Sequence, residues 1–353
     1  MNHWLISKRI DLLILFLPVW LCWLVFFLLP SSTVQLETPL WVWVVFVVGI
    51  DVSHVWSTLF RTYLDREEFQ NHRRLLIVTP IFCFVAAFGL SSISFDFFWR
   101  CLAYVAVFHF IKQQYGFMRI YKAKAKDFHK KIFRDNFIIY LTMLYPVLYW
   151  HLNVDRNFSW FIENDFLQLS LSEGYLETFN LLGNTLYFSL LAGWLIEEFV
   201  RYQTVAIGKV LWVLTTAGNW YIGIVHFNSD LVFTVTNVIA HGIPYLALII
   251  FYQTSKLSNL RVSVNVVKYS LLVIVIVTAL ALSEEYLWDL FVYRENESFF
   301  SGLLSYPSYE FDIGWQHLAL ALLSVPQATH YVLDGFIWKN NASNPHLKSA
   351  LFG

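Results

Sequence analysis

The chain has 353 residues, of which 58% are hydrophobic, 19% aromatic and only 14% charged, with a net charge of −1. Soluble domains carry roughly 25% charged residues, so the composition excludes an ordinary water-covered surface. Near-neutral charge also excludes a nucleic-acid partner held by bulk electrostatics. Cys22, Cys83 and Cys101 lie in apolar segments without metal-ligand or disulfide spacing and read as small hydrophobes.

The expected fold class is therefore all-α, a polytopic transmembrane helix bundle, with residues 1–353 forming a single integral-membrane domain. A helix needs about 20 apolar residues to span the hydrocarbon. In chain order ten windows qualify: about 10–30, 39–60, 75–94, 97–118, 136–153, 180–197, 208–225, 230–252, 266–284 and 314–338. The first is expected to stay as a span, because its apolar run is too long for a signal peptide and Pro30-Ser31-Ser32 is no small-x-small cleavage site.

Basic residues gather at Lys8 and Arg9 and in 61–74, 119–134, 201–209, 256–268 and 339–348, while the intervening loops carry acids. Assigning the basic loops to one side places 20 of the 24 Lys and Arg there. The positive-inside rule then predicts ten spans with both termini cytoplasmic. The basic segment 119–135 either lies along anionic headgroups or is a solvated topogenic loop.

Charged side chains at the centre of the bilayer cost about 2.5–3.5 kcal/mol or more each, so polar residues inside the windows carry information. Six of the eleven histidines fall there: His54, His109, His226, His241, His317 and His330. His54, His109, His241 and His330 each sit on a window running from the outer to the inner side. At 1.5 Å per residue they lie roughly 10–22 Å from the inner boundary. Four histidines at overlapping depths can converge on one point, whereas His226 and His317 lie near the outer face.

Each of the four has polar company one helical turn away. Asp51 precedes His54 by three and Gln113 follows His109 by four; Asn237 and Tyr245 flank His241, and Gln327 and Asp334 flank His330. Metal-bound histidine usually donates its second ring nitrogen to a carboxylate or carbonyl. Asp51 and Asp334 fit as such acceptors or as ligands themselves. Imidazole with carboxylate and no thiolate suits iron, copper, zinc or manganese. The plainer alternative is that each histidine hydrogen-bonds a neighbouring helix. Bis-histidine haem is another alternative, which leaves two of the four unexplained. Arg61 and Lys112 are expected to snorkel toward the inner headgroups. The aromatic residues either line a tunnel for a polyene or acyl chain or form ordinary lipid-facing belts.

The segments SHVWSTLFRTYLD (53–65), FHFIKQQYGF (108–117), IAHGIPYLALI (239–249) and LLSVPQATHYVLDGFIWK (322–339) resemble the four histidine motifs of bacterial beta-carotene-cleaving dioxygenases of the Brp/Blh type. In that family PHGxxD, HFG-like, HxxxH and VPHxxxxD motifs follow in the same order, and here too a proline shortly precedes the last histidine. The departures are local. His54 has no neighbouring proline or glycine, and no glycine follows His109-Phe110. Tyr245 stands where the second histidine of HxxxH belongs, and Gln327-Ala328-Thr329 separate Pro326 from His330.

The resemblance implies Fe(2+) held by His54, His109, His241 and His330, with Asp334 matching the acid of the last motif. The expected function is a membrane-embedded non-haem iron oxygenase acting on a lipophilic isoprenoid, carotenoid or other lipid with dioxygen, in the bacterial inner membrane. Tyr245 and Gln113 are expected to position substrate or oxygen, and Asp51, Asp334 and Asn237 to support the cofactor. A haem-binding electron-transfer protein and a proton-coupled transporter using intramembrane His and Asp are the rival classes. A diiron hydroxylase or desaturase is set aside, because the chain has no HxxxH or HH pair.

Overall fold

A computed structural model describes residues 3–35, 38–127, 132–200, 205–304, 313–341 and 344–352. Residues 128–131 of the basic segment and Arg201 lie outside the described residues. Among the described residues every regular element is helical. Hydrocarbon offers no water to backbone N–H and C=O groups, so a spanning segment must satisfy them internally, as a helix does.

The main helices are α1 (Lys8–Leu28), α2 (Leu40–Arg61), α3 (Arg73–Ile93), α4 (Phe95–Lys124), α5 (Ile132–Leu152) and α6 (Glu173–Val200). They continue with α7 (Ile207–Trp220), α8 (Asp230–Asn259), α9 (Val266–Tyr293), α10 (Ile313–Leu323), α11 (Val325–Ile337) and α12 (Pro345–Phe352). Each apolar window falls on a helix, except that the last holds two. The break comes at Ser324, and Pro326 sits in the first turn of α11, where its missing N–H costs nothing. Six helices are long and apolar enough to cross a membrane: α1, α2, α3, α6, α8 and α9. Leu24, Phe27, Phe82, Leu182, Ile196 and Val275 are among the large apolar side chains they leave exposed, as an integral membrane protein requires.

Besides Pro18 in α1, three prolines lie inside described helices: Pro80 in α3, Pro146 in α5 and Pro244 in α8. Each removes the N–H that would bond the carbonyl four residues earlier. At Pro80 and Pro244 a side chain from elsewhere supplies a donor, and at Pro146 a hydroxyl bonded to another carbonyl lies close by. Tyr63 Oη donates to the Leu76 carbonyl at 2.7 Å. Gln114 Nε2 donates to the Ala240 carbonyl at 3.2 Å. Tyr187 Oη bonds the Ala217 carbonyl at 3.0 Å and reaches the Thr142 carbonyl at 3.4 Å.

The chain divides into two compact units, one of Met1–Val42 with Val107–Ala247 and one of Trp43–Ala106 with Leu248–Leu351. The divisions at 106/107 and 247/248 fall inside the continuous helices α4 and α8. In the first unit α7 packs on α1 and α5, and α5 packs on α6. Trp20 Nε1 donates to Thr215 Oγ1 at 2.9 Å and Trp212 Nε1 to the Gln114 carbonyl at 3.0 Å. Around the buried Lys209 ammonium stand Asp127 at 2.9 Å, Glu198 at 3.0 Å and Asp135 at 3.3 Å. Asp135 also pairs with Lys122 and accepts from Trp194 Nε1, so the ends of four helices are joined by matched charges.

In the second unit α3 packs on α10 and α11, and α11 packs on α2. Arg61 was expected to reach headgroups, but its side chain is 0% exposed. Its Nη1 lies 2.6 Å from Glu68 Oε2, and Nη2 donates to the Ile337 carbonyl at 2.9 Å and to Asn344 Oδ1 at 3.2 Å. The guanidinium also lies 4.2 Å from the centroid of the Tyr252 ring, whose hydroxyl donates to Glu68 Oε1 at 2.9 Å. Glu68, the Ile337 carbonyl and Asn344 together satisfy the guanidinium and outcompete the headgroups. Lys112 does remain exposed, with Nζ 3.3 Å from Tyr140 Oη. Beyond the spans, the His346 imidazole at 2.6 Å holds the Glu67 carboxyl below its usual range and ties α12 to the Arg66–Asn71 turn.

Removing one partner of a buried ion pair strands the other charge, at about 3–5 kcal/mol. Glu68→Ala should lose stability of that order in denaturant titrations in mild detergent. A Glu68→Leu/Arg61→Met double variant should recover much of it. An unchanged Glu68→Ala midpoint would contradict the buried pair.

Candidate metal centre

The local geometry around each histidine follows from its helix. α2 is widened to π-helical geometry over Trp43–Val52 and returns to α-helix at Ser53. Ser53 Oγ donates to the Val48 carbonyl, five residues back, at 2.9 Å. Such bulges often occur at functional sites, and this one ends immediately before His54. His330 lies in the second turn of α11, reset by the break at Ser324. The two rings meet edge to face, centroids 4.9 Å apart at 80°.

His109 on α4 and His241 on α8 form a second edge-to-face pair, 5.1 Å apart at 82°. Pro244 accounts for much of this placement. With the Ala240 carbonyl held by Gln114, the neighbouring Gln113 Nε2 donates to the His241 carbonyl at 3.1 Å. Two consecutive glutamines of α4 therefore grip two consecutive carbonyls of α8, one turn from His109. Phe110 stacks on the His241 imidazole at 3.5 Å and 8°.

One ring nitrogen from each of His54, His109, His241 and His330 lies within 4.8 Å of the others. All four side chains are buried, none more than 4% exposed. Ligands about 2.1 Å from a shared ion on opposite sides would be about 4.2 Å apart, so the group needs only a small contraction to hold one. Four buried imidazoles without thiolate form a donor set suited to a first-row transition metal. The donors fit a metal ion.

The supporting partners differ from those expected: neither Asp51 nor Asp334 forms a hydrogen bond to its histidine ring. His330 Nδ1 lies 2.7 Å from Thr58 Oγ1. Asp334, expected to orient that ring, stands at 3.8 Å, beyond hydrogen-bond reach. Thr58 reaches the ring from another helix at shorter range than the carboxylate one turn away. Asp51 Oδ1 lies 3.5 Å from His54 Nδ1, at the edge of hydrogen-bond distance.

Asn237 and Tyr245 are both buried on α8, one turn before and after His241. Gln113 is buried too; its Nε2 is committed to His241, and its Oε1 finds no hydrogen-bond partner among the described residues. Thr58, Gln114 and Phe110 were not singled out from sequence. Two of them carried a readable signal: Thr58 shares the His54 face at i+4, and Gln114 is a second amide beside Gln113 in an apolar run.

Partners of the second ring nitrogen commonly contribute 10–100-fold to metal affinity. Thr58→Val should therefore weaken iron(II) or zinc binding by about that factor, measured by competition with a chelator of known affinity. Affinity equal to wild type would show that Thr58 does not orient His330.

Compared with known proteins, the chain matches no protein-family model, no curated protein and no solved structure.

Proposed function

We propose that this chain is an integral-membrane, non-haem iron oxygenase acting on a lipophilic isoprenoid, carotenoid or other lipid. The observation that carries the reading is the convergence of four buried imidazole nitrogens within 4.8 Å. His54, His109, His241 and His330 would hold Fe(2+), and the motif order shared with Brp/Blh-type dioxygenases favours iron over copper, zinc or manganese. The ion would supply dioxygen activation, which amino-acid side chains lack.

The chain's own residues do the remaining work. Thr58 fixes the His330 ring and Asp51 faces the His54 Nδ1. Gln113 ties His241 in place and presents Oε1 as an acceptor for a bound substrate or a reacting proton. Tyr245 would position substrate from the next turn of α8. Burial among apolar helices keeps water from reactive species and suits an insoluble substrate. In this reading all ten windows span the bacterial inner membrane, with the basic loops and both termini cytoplasmic.

The geometry disfavours the two rival classes. A bis-histidine haem would take two of the four imidazoles as axial ligands and leave the other two unexplained. A proton relay needs titratable groups in series across the membrane, not four rings gathered at one point.

Metal analysis of detergent-purified wild type beside His109→Ala and His330→Ala tests the reading. About one iron per chain, lost in both variants, with lipid-dependent oxygen uptake only by wild type, is the expected result. Equal metal in all three proteins, or a Soret band, would remove it.

A further inference from the structure

Beside the His54 and His330 pair, α2, α3 and α11 enclose a cavity of about 310 Å³. Its walls include Trp56, Leu59, Pro80, Val325 and Leu333, and it ends on the His330 ring. Pro80 shapes one wall directly. The carbonyl it releases is taken by Tyr63, another lining residue, so that hydroxyl is drawn away from the cavity space. Pro326 ends the opposite wall at the start of α11.

Apart from Thr329 Oγ1, which has no hydrogen-bond partner among the described residues, the polar side chains around the cavity are engaged elsewhere. Trp56 Nε1 donates to Glu284 at 2.6 Å, Thr58 Oγ1 holds His330, and the Thr329 hydroxyl lies beside the Cys83 thiol. A ligand portion bound here thus meets mainly hydrocarbon walls, with the Thr329 hydroxyl and the His330 ring as the polar exceptions. On the adjoining stretch of α3, Ile77, Val78, Ile81 and Phe82 are 42–65% exposed, which makes this side of the helix lipid-facing. Trp56, Leu59, Pro80 and Val325 are themselves only half-buried. The volume lies at the lower end of the ~300–1,000 Å³ typical of small-molecule sites, enough for part of a chain and not for a bulky ring system.

We infer that this cavity is the lateral port of the site: it takes the unsubstituted hydrocarbon chain of the substrate, inserted from the membrane between α2, α3 and α11 with its leading atoms against His330. The inference rests on the proposed function and narrows its substrate class to molecules with a slender apolar chain. Leu59 and Val325 at the rim then determine which chains enter, and Leu333 how far they reach. A bulk lipid acyl chain has the same chemistry, but it has no reason to stop at a buried histidine and would exchange freely.

The test is photolabelling of the purified full chain with a long-chain alcohol bearing a terminal alkyl diazirine, followed by peptide mapping. Labelling of 55–63 and 325–333 should saturate and be displaced by unlabelled dodecanol. Leu59→Trp should lower it about tenfold, while labelling of the lipid-facing Leu182 and Leu186 on α6 stays constant. Val325→Phe is the second variant should Leu59→Trp fail to elute as folded protein. Labelling that never saturates and matches that of α6 identifies an ordinary lipid-exposed surface and overturns the port. Saturable labelling in a protein whose histidine variants retain their metal would uphold the port and sink the oxygenase, so the two failures are separable.

Discussion

Water's absence governs this structure: a backbone carbonyl released inside a helix is answered by a polar side chain of the same chain, and a buried atom left over, such as Gln113 Oε1, stands out as an exception. Two interior prolines make the rule visible. Pro80 and Pro244 release the Leu76 and Ala240 carbonyls, and each of these is met by a side chain reaching in from another element. An unsatisfied group would cost several kcal/mol in hydrocarbon, so these contacts define where helices can sit. At Pro244 the consequence is functional. Gln113 and Gln114 cannot serve adjacent carbonyls of α8 without bringing His109 and His241 to the same level.

The same rule gives meaning to the histidines. Neutral imidazole has one donor and one acceptor, and both need partners when buried. For His330 one ring nitrogen is answered by Thr58, reaching in from another helix. Charges obey the rule as well. The Arg61 and Lys209 networks place every buried cation against carboxylates, and both stand toward the basic ends of their helices, apart from the histidine layer.

Much of the helical framework was legible because hydropathy over twenty residues does not depend on tertiary contacts. The window near 75–94 and the helix Arg73–Ile93 agree for that reason. The last window was less legible: Ser324-Val325-Pro326 reads as apolar continuity, but proline restarts the helix there. The four histidines could be picked out by shared depth and direction, which are properties of sequence position. Their partners could not. Helical spacing nominates Asp334 for His330, yet Thr58, distant in the chain, is closer to the ring. Arg61 failed in the same way, since its burial depends on Ile337 and Asn344, far along the chain, as much as on nearby Glu68.

X-ray absorption at the iron edge of the purified protein examines the meeting of the imidazoles most directly. The account predicts a first shell containing about four nitrogen donors near 2.1 Å, with the outer-shell scattering that imidazole rings produce. A porphyrin pattern, or a shell of oxygen donors with one imidazole or none, would contradict it.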